Sequence, residues 1–133
     1  MRTFKIVITG HGPFPDALMR TAEMICGHVD NVSAISIGAN DSPDTYAAAL
    51  AVVVDQGRTT GETLVLCDIH GGTPSNTSAV LARRYGHIIT ISGINLAMVV
   101  EAIMTEGDLS DAVVKHLVEV GRSSISATLH KRA

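Results

Sequence analysis

The sequence predicts an open α/β fold: a mostly parallel, doubly wound sheet with helices on both faces. Three observations lead there. Strand-like apolar runs alternate with helix-like segments of about ten to fifteen residues, which implies right-handed crossovers and parallel strand pairing. Thr63-Leu64-Val65-Leu66-Cys67 is a continuous apolar run, as expected of a central parallel strand covered on both faces. No linker, repeat or low-complexity stretch divides the 133 residues, so 1–133 reads as a single domain.

Taken in order, Phe4 to Thr9 reads as the first strand, closed by Gly10. Pro15 and Asp16 suit the first turn of a helix, where proline gives up no needed donor and a carboxylate favours the positive dipole end. Leu18, Ala22 and Ile25 then face the sheet, and Gly27 stops the helix. Val32 to Ile37 alternates with period two and forms a second strand. Ser42 as cap, Pro43 and Asp44 open a second helix over Tyr46 to Gln56. The third strand, Thr63 to Cys67, ends on Asp68, and Gly71-Gly72-Thr73-Pro74 breaks the chain sharply. A third helix follows over Ser75 to Tyr85, ended by Gly86. His87 to Ile91 is a short strand, Leu96 to Thr105 a fourth helix, and Ser110 caps a last helix running to Gly121. Ser123 to Leu129 is left over as an extra strand.

The composition excludes several classes of function. Hydrophobic residues at 46% and charged residues at 17% describe a folded globular chain rather than a disordered one. Aromatics at 3%, no Trp and a net charge of -3 supply neither a stacking platform nor a basic footprint, so nucleic acid is not an expected partner. Cys26 and Cys67 have no metal-type or Cys-x-x-Cys spacing and read as buried, reduced thiols. No apolar stretch reaches the roughly 18 residues of a membrane span, and the first residues do not form a signal segment. A cytoplasmic protein is expected.

Ligands of open α/β sheets bind beyond the carboxyl ends of the strands near the point where strand order reverses. That directs attention to His11 after strand one and Asp68 after strand three. Flanked by Gly10 and Gly12, the His11 ring has little cover from its neighbours. Neutral imidazole attacks phosphorus near neutral pH and holds a transferable phosphoryl group. Such a nucleophile needs a partner on its other nitrogen to fix the tautomer and offset developing positive charge, and Asp68 is placed for this. The loop Gly71, Gly72 and Thr73 enters a helix, so its N–H groups and hydroxyl suit phosphate oxygens. Each feature also has a plainer reading: a surface histidine, a turn-capping aspartate, a tight turn with a helix-starting proline. His70 reads as a second proton-transfer group, a metal ligand with His11, or a rim residue. The rim is favoured because only two or three ligands can be named, so no metal and no cofactor is expected.

Ile8-Thr9-Gly10-His11-Gly12, Cys67-Asp68-Ile69-His70-Gly71-Gly72-Thr73-Pro74-Ser75-Asn76 and the weaker Gly93-Ile94-Asn95-Leu96 resemble the signature segments of mannose-class IIA proteins of the sugar phosphotransferase systems. The similarity is collinear over nearly the whole chain. It implies a phosphotransferase component in which His11 is phosphorylated by phospho-HPr and donates to a IIB protein, with Asp68 hydrogen-bonded to the ring. It also implies a homodimer built by an exchanged C-terminal strand, and contact with the membrane only indirectly, through IIC and IID transporter components. Many relatives carry an aromatic where this chain has His70 and another where it has Ser75, so Pro13, His70 and Ser75 are read as a partner-facing rim. Ala97 stands where relatives often have proline. Two other destinations for the phosphoryl group stay open: a dihydroxyacetone-kinase-type system, and a regulatory protein controlled by phosphorylation. A metal-dependent hydrolase is disfavoured by the lack of a paired carboxylate cluster.

Overall fold

The computed structural model describes residues 1–55 and 61–131. Four strands, β1 (Lys5–His11), β2 (Val32–Ile37), β3 (Thr63–Cys67) and β4 (Ile88–Ser92), form one sheet in the order β2-β1-β3-β4, and every neighbouring pair is parallel. Between them lie α1 (Phe14–Cys26), α2 (Pro43–Asp55), α3 (Thr73–Arg84), α4 (Leu96–Met104) and α5 (Asp111–Ser123). The chain leaves β1 toward β2 on one side and then crosses to β3 on the other. The reversal of strand order therefore falls between the ends of β1 and β3, where open α/β sheets bind ligands.

Both faces of the sheet are covered, for the reason the apolar strands suggest. On one face Ile6, Ile8, Leu64, Leu66 and Ile91 pack with Ala22 of α1, Met98 and Val99 of α4, and Leu117 of α5. On the other, Val7, Val65 and Cys67 pack with Tyr46, Leu50 and Val54 of α2 and Leu81 of α3. β3 is buried at every position, as its unbroken apolar run requires. Lys5, at the start of β1, is buried too. Its Nζ donates to the carbonyl oxygen of Val53 at 2.8 Å, near the negative end of the α2 dipole, and burial lowers its pKa.

Several boundaries differ from the sequence reading. β1 does not close at Gly10 but continues through His11, whose position pairs with Ile37 of β2. α1 begins at Phe14, and Ile25 turns to solvent instead of the sheet. Cys26 is only partly buried, while Cys67 is fully covered; both are free thiols. Ser42 does cap α2, accepting from the Thr45 N–H at 3.0 Å, and the expected helix end at Gln56 lies outside the described residues. α3 starts two residues early, at Thr73, and β4 starts at Ile88, with His87 outside it. α5 extends through Ser123, and residues 125–131 form no strand within this chain; Ile125 and Leu129 stand in solvent. Pairing them needs an open sheet edge.

Candidate functional site

β1 and β3 part company just above their last paired positions, Thr9 and Cys67. Past that point the Asp68 amide donates to the Thr9 carbonyl at 3.1 Å, which folds the aspartate side chain across the end of β1. One carboxylate oxygen, Oδ2, then accepts from the His11 amide at 2.8 Å and faces His11 Nδ1 at 2.8 Å; the other, Oδ1, accepts from the Ile69 amide at 2.8 Å. A Cβ on Gly10 would lie 2.5 Å from the Asp68 Cγ, so the carboxylate occupies the space a side chain would fill. Glycine at position 10 is therefore part of the site.

The electrostatics follow from these contacts. Burial alone raises the carboxyl pKa of Asp68, but the hydrogen bonds from the His11 ring, the His11 amide and the Ile69 amide outweigh it, and the pKa ends below the ordinary carboxylate value. An ionised carboxylate can only accept, so the proton of neutral His11 sits on Nδ1 and the lone pair is on Nε2. The Asp68 side chain is 11% exposed and the His11 side chain 50%, so the carboxylate is largely covered while half of the imidazole side chain is open to solvent.

Two helix starts flank the ring. α1 begins three residues after His11, at Phe14, and α3 begins at Thr73; neither N-cap, Pro13 or Gly72, has a side-chain cap. α4 and α5, by contrast, are capped by Asn95 and Ser110. First-turn N–H groups have no carbonyl partner within their own helix, so these two termini present donors and positive dipole ends. A Cβ on Gly72 would meet His11 Cε1 at 3.1 Å, so the loop lies directly against the ring. Gly71 has φ +90°, a conformation open to glycine, and its carbonyl accepts from the Asn76 side chain at 3.2 Å.

The structure thus brings together His11, Asp68, Gly71, Gly72 and Thr73. Pro13 and His70 are exposed beside them. Ser75 is not a rim residue: it is 5% exposed, and its Oγ lies 2.9 Å from Ser92 Oγ of β4. Because α3 starts at Thr73, Ser75 falls on its inward face. Ile69, exposed beside Asp68, and Phe14 at the start of α1 supply apolar surface at the rim that the sequence reading passed over. Among the described residues no group of three or more His, Cys, Asp or Glu side chains could hold a metal ion, and no helix is long and apolar enough to cross a membrane.

Comparison with known proteins gives this geometry a family. The profile described as "PTS system fructose IIA component" matches residues 5–118. The chain is 32% identical over 127 residues to the mannose-specific EIIAB component of Escherichia coli, a match covering 94% of this chain but 39% of that longer protein. Its fold is similar to the mannose/sorbose-specific IIA subunit of Enterococcus faecalis, with a TM-score of 0.89, 26% identity, and coverage of 100% of this chain and 99% of that one. The EIIA component of Streptococcus agalactiae superimposes with a TM-score of 0.80 at 34% identity, covering 93% of this chain and 96% of that one. The chain belongs to the mannose-class IIA family of the sugar phosphotransferase systems.

Proposed function

We propose that the protein is a phosphocarrier that accepts a phosphoryl group from phospho-HPr on His11 Nε2 and donates it to a IIB component for sugar uptake and phosphorylation. The observation that carries this reading is the Asp68 Oδ2 contact to His11 Nδ1 at 2.8 Å, which leaves Nε2 as the ring nitrogen outside that contact, on a side chain that is 50% exposed. In the forward step the Nε2 lone pair attacks phosphorus, and the bond from phosphorus to the donor's imidazole nitrogen breaks with its electron pair staying on the donor. His11 keeps its Nδ1 proton and becomes cationic, and the Asp68 carboxylate offsets that charge. The uncapped starts of α1 and α3, with the Gly71, Gly72 and Thr73 loop, offer N–H donors to the phosphoryl oxygens. Pro13, Ile69 and His70, exposed in the segments that carry His11 and Asp68, form the surface that meets HPr and IIB. Transfer to IIB is the same displacement in reverse order.

A further part of this reading concerns assembly. β4 is an edge strand, and the exposed Ile125, Ala127 and Leu129 alternate as one face of a strand would, which suits pairing with the sheet of a second copy. Truncation after Ser124 is expected to convert a dimer to a monomer in analytical ultracentrifugation; an unchanged mass would remove this element of the reading.

The test of the main proposal is incubation with phosphoenolpyruvate and the general phosphocarrier proteins, followed by intact mass and phosphosite mapping. Wild type is expected to carry one acid-labile phosphate on His11, and His11→Ala none. Labelling of His11→Ala to the same extent would overturn it.

A further inference from the structure

We propose that Tyr46, on α2, is a positioning residue for the His11–Asp68 pair, acting through its hydrogen bond to Thr9. This rests on the phosphocarrier reading of the site. Thr9 is the last residue of β1 paired to β3, and beyond it the ladder that aligns the two strand ends is gone. Its carbonyl is the acceptor that holds the Asp68 amide, and its peptide leads directly to Gly10, against which the Asp68 carboxylate rests. Any shift of Thr9 therefore moves Asp68 and the His11 amide relative to each other.

The side chain of Thr9 is 0% exposed and its hydroxyl meets the Tyr46 phenol, itself 2% exposed. Burial pushes the Tyr46 pKa far up, with the nearby Cys67 and Asp68 adding to the rise, so the phenol stays neutral and hydrogen-bonding throughout the working pH range. The same β2–α2 segment touches the site a second time, where the Ile37 carbonyl accepts from the Gly12 amide at 3.0 Å. Residues 9 to 12 are thus fixed at both ends, and Tyr46 supplies the only side-chain anchor seen among the described residues on the Thr9 hydroxyl. A tyrosine has few rotatable bonds and sits in a close-packed cluster with Leu50, Val65 and Cys67, which makes the anchor stiff.

The test compares Tyr46→Phe with the double variant Thr9→Val/Tyr46→Phe, in which an apolar pair of similar shape fills the same space. Three quantities are read: the steady-state rate of His11 phosphorylation against donor concentration, the His11 ring tautomer by 15N spectroscopy, and Tm. Tyr46→Phe is expected to lower the maximal rate roughly three- to tenfold, the scale of one misaligned hydrogen bond, with KM for the donor unchanged because Tyr46 does not reach the surface. The single Nδ1-protonated tautomer is expected to become a mixture. The double variant is expected to recover Tm without recovering rate or tautomer. A wild-type rate and tautomer in Tyr46→Phe, or their recovery together with Tm in the double variant, would show a purely structural pair and overturn the proposal. The tautomer does not depend on any phosphoryl donor, so it decides this proposal even if wild type proves unable to take phosphate.

Discussion

Replacing Asp68 with Asn removes the negative charge while keeping nearly the same shape, and the structure sets the size of the effect. The carboxylate receives three N–H groups, two at Oδ2 from His11 and one at Oδ1 from Ile69. An amide keeps one acceptor. Turning its oxygen toward His11 preserves two contacts and sets its NH2 against the single Ile69 N–H, which is the less costly orientation. The fold and the ring tautomer are therefore retained, and the charge is what is lost. A hydrogen bond to a charged partner contributes about 1.5–3 kcal/mol and a neutral one about 0.5–1.5 kcal/mol, so the phosphorylated, cationic ring loses about 1–2 kcal/mol of support. At about 1.4 kcal/mol per factor of ten, transfer slows roughly 5- to 30-fold, toward the lower end because the ring is half exposed to water. Quench-flow measurement of acid-labile phosphate on His11 reads this directly. A change under about twofold in a folded Asp68→Asn protein would refute the charge-compensation argument and leave Asp68 as a turn residue.

Other predictions follow from the same geometry. Because the folded pKa of Asp68 lies below its unfolded value of 3.8, its contribution to stability is fully present above that value and is lost as pH falls through the lower, folded pKa. The Tm difference between wild type and Asp68→Asn is expected to be constant near neutrality and to shrink only below about pH 4; a difference that vanishes by pH 6 would contradict the direction of the shift. Gly10→Ala puts a Cβ 2.5 Å from the Asp68 Cγ and is expected to cost about 1–3 kcal/mol in chemical denaturation and to abolish most transfer. Asn95 caps α4 through the Met98 amide and donates to the Gly121 carbonyl at 2.9 Å and to Ser124 Oγ at 3.0 Å. Asn95→Ala is expected to cost about 1–3 kcal/mol and to speed amide exchange at the end of α5; unaltered exchange there would show that the helix end is held by packing alone.

The strands and helices were legible because they depend on local pattern. The apolar run of β3, the Ser42 and Ser110 caps and the Gly27 stop each state their element within a few residues. The pairing of His11 with Asp68 was legible for a different reason, since two chemistry-bearing residues at the ends of parallel strands adjacent in the sheet are brought together by topology. What the sequence hid was set by distant atoms. Gly10 reads as a strand stop until the Asp68 carboxylate is seen against it. Ser75 reads as rim until α3 begins at Thr73 and turns it toward Ser92. Lys5 looks like a surface lysine until the α2 carbonyl at Val53 captures it. Ser123 to Leu129 carries a strand's alternation, but Ser123 ends α5 and the residues after it find no strand partner within this chain.

In the proposed phosphocarrier, Asp68 holds His11 Nδ1 and so leaves Nε2 to carry phosphorus. The most direct test is two-dimensional NMR of the phosphorylated, 15N-histidine-labelled protein, reading the phosphorus–nitrogen coupling. Coupling to Nε2 of His11 and a retained proton on Nδ1 are expected. Phosphorus on Nδ1, or on any residue other than His11, would contradict it.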